Sequence, residues 1–156
     1  MKREVKKVLL FSGFIWLVAN LHHPVTPSYF TGLNLPDHIF GTSYAAMVFA
    51  IFLTSPVWGS VGDKGKRKSG LVIATFFYGL VQMGFAFAGT VTGILFLRVL
   101  AGMAAGGFHV GLMSALGFLV GGLFGKFTPQ VVFLIQGMSM VLVSLGIRLF
   151  VKETNP

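Results

Sequence analysis

The chain has 156 residues, 54% of them hydrophobic and only 10% charged, with a mean hydropathy of +0.83. Four acids and twelve bases cannot coat a water-soluble domain of this size, so the aqueous globular classes are excluded and an integral membrane protein is expected. The absence of cysteine removes disulfide frameworks, thiolate metal sites and cysteine nucleophiles, and the net charge of +8 lies mostly in short flanks of apolar runs, leaving no basic stripe for nucleic acid.

In chain order, Lys2, Arg3, Lys6 and Lys7 precede a first apolar run. A signal peptide begins the same way, but Val18-Ala19-Asn20 is a poor small-residue cleavage site and further apolar runs follow, so an uncleaved span over 8–30 is expected. Residues 31–42 hold Gly, Asn, Pro, Asp and His and predict a loop. A second span is expected over 43–61. It is followed by the densest charge in the chain, from Gly62 to Ser69, which belongs in water or at lipid headgroups. The remaining spans are placed over 70–89, 93–113, 115–127 and 131–151.

The stretch from Ile94 to Gly125 is anomalous, because it is too long for one crossing of about 20 residues and too short for two with a loop. The span over 115–127 is therefore a shortened one. No segment alternates with period two, as a membrane barrel would. The expected fold class is all-α, a polytopic transmembrane helix bundle with five clear spans and a sixth shortened. With the amino terminus in the cytoplasm, the first four bases and Lys64, Lys66, Arg67 and Lys68 fall on the same side. Six crossings would add Arg148 and Lys152 to that side, whereas five would invert them; charge favours six and length favours five.

The run Gly59-Ser60-Val61-Gly62-Asp63-Lys64-Gly65-Lys66-Arg67-Lys68 resembles the signature loop of the major facilitator superfamily, with Lys66 where that family usually has its second Gly. Arg98, with Gly102 four residues on, is similar to the family's Arg-x-x-Gln-Gly pattern, Ala101 replacing the Gln. Gly117, Gly121, Gly122 and Gly125 resemble the fifth-helix antiporter motif, with Gly122 in place of its Pro and the upstream Gly absent. The resemblance runs the length of the chain and in its motifs is nearest to the drug/proton antiporter branch. It implies twelve helices in two six-helix bundles, with this chain as a shortened amino-terminal half. The loop after the fourth helix and the first part of the fifth, roughly 20 to 30 residues against a span of about 20, would be missing near Ser114.

The resemblance implies a cell-membrane transporter rather than an enzyme, one that exports small amphipathic molecules in exchange for protons. The implied partners are the lipid bilayer, an unidentified small-molecule substrate, and the second half or a second copy of the chain. No nucleic acid, cofactor or metal is implied, and the four histidines lack metal-ligand spacing. The rival is a non-transporting membrane remnant or small subunit that packs through its glycine rows.

Asp63, at the carboxyl end of the second span, faces the negative end of a helix dipole and is expected to need a cationic or amino-end partner, unless it is simply solvated among the topology-setting lysines. The resemblance makes it part of a gate with Gly59, Lys64, Arg67 and Lys68. Arg98 lies inside a span with no Asp or Glu in any span, so it should face the bundle interior and an acceptor, or else snorkel to the interface. Asn20, His22 and His23 close the first span before Pro24, either as a substrate or proton path or as interfacial polar groups at a distorted helix end.

Overall fold

The computed structural model describes residues 3–108 and 128–151. The described residues form six helices: α1 (Arg3–Ala19), α2 (Thr26–Gly32), α3 (His38–Asp63), α4 (Arg67–Phe85), α5 (Val91–Ala105) and α6 (Pro129–Phe150). The shortened span over 115–127, with Gly117, Gly121, Gly122 and Gly125, lies outside the described residues.

The first apolar run, expected as one span over 8–30, is instead two helices joined by a tight turn. Pro24 has no N–H to continue α1, and its ring would crowd the carbonyl of Asn20. The backbone closes short turns in its place: Leu21 donates to the carbonyl of Val18, His23 to that of Asn20 and Val25 to that of His22, at 3.1–3.2 Å. The Thr26 hydroxyl donates to the His22 carbonyl at 2.9 Å, and Pro27 stands in the first turn of α2, where a missing N–H costs nothing. The loop expected over 31–42 is shorter than its composition suggested. It shrinks to a turn around Asn34, at φ 54°, and Pro36, because α2 runs to Gly32 and α3 begins at His38.

Helix α3 continues through Pro56, which leaves the carbonyl of Phe52 without its usual donor. In the preceding turn Thr54 and Ser55 donate their hydroxyls to the Ala50 and Ile51 carbonyls, at 2.8 and 2.7 Å, second bonds to the helix ladder beside the proline. The helix ends in a Schellman turn. Gly65 sits at φ 76°, its N–H reaches the Gly62 carbonyl at 3.1 Å, and the N–H of Lys66 reaches Val61 at 3.3 Å. Gly65 thus makes the left-handed turn, so Lys66 need not be glycine.

Helices α4 and α6 pack along each other, as do α3 and α5, while α4 also meets α5 and α1 lies on α6. The tightest crossings are made by glycine. A methyl group on Gly79 would stand 2.9 Å from the Gly137 carbonyl oxygen, and one on Gly137 would stand 2.7 Å from that of Gly79. The outer surface is apolar: Phe49, Phe52, Leu53 and Val57 of α3 and Leu142 and Leu149 of α6 are more than half exposed. Two helices, α3 and α6, are long and apolar enough to cross a membrane, and Leu10–Ala19 and Val91–Ala105 are shorter apolar helices. That is fewer full-length helices than the five clear spans expected, because the first run is broken, α4 begins with Arg67 and Lys68 and carries Gln82, and α5 ends at Ala105.

Candidate functional site

Where the apolar runs carry polar residues, the fold gathers them into one cluster. His22, Thr26, Gln82, Arg98 and Gln136 are each at most 2% exposed. The break after α1 places His22 at the centre, since residues in that turn point into the bundle rather than along a helix face. The Nη1 of Arg98 donates to His22 Nε2 at 2.9 Å. Its Nη2 approaches the Thr26 hydroxyl at 3.4 Å, and its Cζ lies 4.5 Å from the centroid of the Phe85 ring.

This geometry fixes the proton on the imidazole. A guanidinium only donates, so Nε2 must accept, and the single ring proton of a neutral His22 sits on Nδ1. From there it donates to the Ala19 carbonyl at 3.0 Å. The Gln136 amide donates to the same carbonyl at 2.7 Å, and Gln82 donates to the Tyr78 hydroxyl at 2.7 Å. Among the described residues, Arg98 forms no salt bridge, and its Nε, together with Gln82 Oε1, Gln136 Oε1 and Thr75 Oγ1, has no hydrogen-bond partner.

One end of the cluster is closed by aromatic rings. Phe85 and Phe133 lie 4.7 Å apart, centroid to centroid, Tyr29 packs edge-on to Phe133, and the Tyr29 hydroxyl donates to the carbonyl of Ala88 at 2.8 Å, just past the end of α4. On the other side lies a cavity of about 430 Å³, lined by residues including Trp16, Asn20, His23, Tyr44, Met47, Tyr78 and Phe108. Met47 belongs to both, since its Sδ is 3.8 Å from Arg98 Nη1. Of the three residues singled out as a path, Asn20 and His23 line the cavity, whereas His22 turns away from it toward Arg98. The Asn20 amide is held by the Trp16 carbonyl at 2.7 Å, and the His22 and His23 rings lie 4.2 Å apart.

Gly102 stands with Arg98 on α5, at its contact with α3. A side chain there would run into the Met47 carbonyl and come within 2.8 Å of the Ala50 methyl, so the glycine is what lets Met47 approach Arg98. The signature loop is elsewhere. Sixteen residues of α3 separate Met47 from Asp63, about 24 Å at 1.5 Å per residue. Gly59 has open space where a Cβ would be, Arg67 begins α4, Lys64 is exposed and Lys68 half-buried. Asp63 is exposed. Gln82 and Gln136 were not anticipated. Their signal was available, since each is the lone carboxamide in an otherwise apolar run, and such groups need partners inside a membrane bundle.

No family model matches the chain. It is 31% identical over 100 residues to the quinolone resistance protein NorA of Staphylococcus aureus, a stretch covering 64% of this chain and 26% of that protein. It is 28% identical over 170 residues to the multi-drug resistance efflux pump PmrA homolog of Lactococcus lactis subsp. lactis, covering 90% of this chain and 42% of that protein. The chain thus spans less than half the length of these curated relatives. Neither is an enzyme. The likenesses and the apolar outer surface make the chain a membrane protein.

Proposed function

We propose that this chain forms the first helical bundle of a major-facilitator-type transporter, working in proton-linked efflux of small amphipathic molecules across the cell membrane. The observation that carries the reading is the buried Arg98 beside an aromatic-lined cavity. A guanidinium inside an apolar bundle costs at least about 2.5–3.5 kcal/mol on insertion scales, which bare helix packing gives no reason to spend. The likeness to an efflux pump along 90% of the chain supports the same reading. In this reading the amino terminus and the loop over 62–69 are cytoplasmic, the chain crosses the membrane several times, and the aromatic cluster around Phe85 closes the outer end. Impermeant amine labelling of Lys66 from outside intact cells is the check on that orientation, and labelling there would reverse it.

Alternating access rocks two bundles around a site near the midplane, and this stretch supplies one. The expected result is therefore no dye-driven proton movement in vesicles holding the chain alone, and proton movement when it is co-expressed with the second half of the Lactococcus relative, abolished by Arg98→Ala. A second reading, a non-transporting remnant or helix-packing subunit, is favoured by one observation. Nine-tenths of 156 residues is about 140, so about 30 of the 170 compared positions fall opposite gaps in this chain, a deficit matching the segment expected to be missing near Ser114. If co-expression restores nothing while both parts reach the membrane, the remnant reading stands.

A further inference from the structure

The buried pair at the centre of the cluster has an unusual composition. Where a buried guanidinium ordinarily meets a carboxylate, Arg98 meets an imidazole at 2.9 Å, and the chain's four acids, Glu4, Asp37, Asp63 and Glu153, all fall outside the expected spans. The contact exists in only one protonation state. The N–H of Arg98 points at the lone pair of Nε2, which is where an incoming proton must bind. Once that proton arrives, two cations face each other at hydrogen-bond distance in a medium of low dielectric, and the pair has to separate.

The surroundings hold acceptors for the Nδ1–H, which the ring carries whether or not Nε2 is protonated. Gln136 Nε2 lies 2.8 Å and Gln82 Nε2 3.5 Å from His22 Nδ1, yet with Arg98 bound Nδ1 carries a proton, so each amide presents a donor to a donor. The carboxamide oxygens of the same two side chains are buried without partners. A half-turn of either carboxamide exchanges nitrogen for oxygen and gives Nδ1–H an acceptor at that place. Arg98 also has somewhere to go, since Met47 lies against its Nη1 and lines the cavity. The other titratable groups around His22 are its neighbour His23, Tyr44 of α3, which packs on His23, and Tyr78 of α4, and none of these is an acid; α2 and α6 contribute the uncharged Thr26 and Gln136.

We propose that His22 is the proton-binding residue of this bundle and that Arg98 is a latch it controls. With Nε2 unprotonated, Arg98 is held against α1 and α2. When Nε2 takes a proton, the ring no longer offers Arg98 a lone pair, and Arg98 is released toward the cavity lined by Met47 and Tyr44. The proposal deepens the reading of the chain as part of a proton-linked transporter, but its test involves no transport, so either can fail alone.

The experiment is a pH titration of the whole chain in lipid micelles, with histidine and arginine labelled by ¹⁵N. The Arg98 signals are assigned by their loss in Arg98→Lys and those of His22 by their loss in His22→Gln. Above neutral pH the His22 ring should be the Nδ1–H tautomer. On acidification Nε2 should gain a proton, and the Arg98 guanidinium signals should move with the same midpoint. His22→Gln, which keeps an acceptor for Arg98 but does not titrate, should make the Arg98 signals independent of pH while circular dichroism stays helical. An Nε2–H tautomer, a His22 that stays unprotonated down to pH 4 in the folded chain, or Arg98 signals that ignore the titration of His22 would each overturn the proposal. Should His22→Gln fail to fold, the wild-type titration still decides.

Discussion

Substituting Gly137 by alanine tests whether the close α4–α6 crossing holds the polar cluster together. The added methyl would meet the Gly79 carbonyl oxygen at 2.7 Å and the Met83 amide nitrogen at 3.0 Å, besides running into the Met83 side chain. Ordinary carbon contacts begin near 3.5 Å, and two of these neighbours are backbone, so the helices must part by about half an ångström or more. A gap of that size forfeits roughly a quarter to a half of each contact along the seam. Overpacking of this kind costs about 1–3 kcal/mol, against a gain of about 0.5–1 kcal/mol from replacing glycine inside a helix, for a net loss of up to about 2.5 kcal/mol, and of about 1–3 kcal/mol relative to a helical alanine that meets nothing. Gly41→Ala is the control, because a methyl there meets nothing within 4 Å; it should be neutral or slightly stabilising. Gly79→Ala should resemble Gly137→Ala, and the double substitution should cost less than the sum, since one displacement accommodates both methyls. Unfolding in mixed micelles, followed by far-ultraviolet circular dichroism, measures all four. A Gly137→Ala chain as stable as the Gly41→Ala control, or a strictly additive double, would refute the close crossing.

Three further outcomes follow from single residues. Tyr29→Phe removes the donor to the Ala88 carbonyl and should cost about 1–3 kcal/mol in the same unfolding assay, the price of an orphaned buried group. Gly65→Ala places a Cβ at φ 76° in otherwise open space, so thermal unfolding should show a loss of about 1–2 kcal/mol with no change in helix content, and Gly65→Asn should lose less. Arg98→Met exchanges a buried charge without a carboxylate partner for an apolar chain of similar length, and should leave the bundle as stable as before or up to about 1–4 kcal/mol more stable; a marked loss of stability would mean that the bonds Arg98 makes outweigh the cost of burying its charge.

Much of this architecture was legible in the sequence because lipid imposes simple rules on composition. The described apolar runs became helices, and of the polar stretch from Gly62 to Ser69 only Lys64 to Lys66 became a turn, the rest closing α3 and opening α4. The break in the first run was harder to read, because Pro24 says that a helix must yield but not whether it kinks or stops; the short turns around His22 decide that. The loop over 31–42 was overestimated since Gly32 and His38 suit a helix end as well as a loop. In the site, Arg98 announced itself as a charge inside an apolar run, but its partner did not. His22 and Arg98 are 76 residues apart, and no local pattern encodes a pairing over that distance. Gln82 and Gln136 were visible as lone amides, but their convergence on one ring depends on the Gly79–Gly137 crossing.

That dependence bears on why so much polarity is stable in so small an apolar bundle. Each polar residue of the cluster is held by a different element, so the cluster ties α2, α4, α5 and α6 to the turn after α1 through side-chain bonds that add to van der Waals packing, the hydrophobic effect giving no driving force between helices in lipid. The ties are incomplete, since Arg98 Nε and the two carboxamide oxygens lack partners. A fully satisfied network rigidifies a core, whereas one with spare acceptors beside a titratable ring can have a second arrangement of similar energy. The same feature that weakens the bundle as a static object therefore suits it to change state, with Phe85 and Phe133 sealing one end and the cavity beside Met47 leaving room at the other.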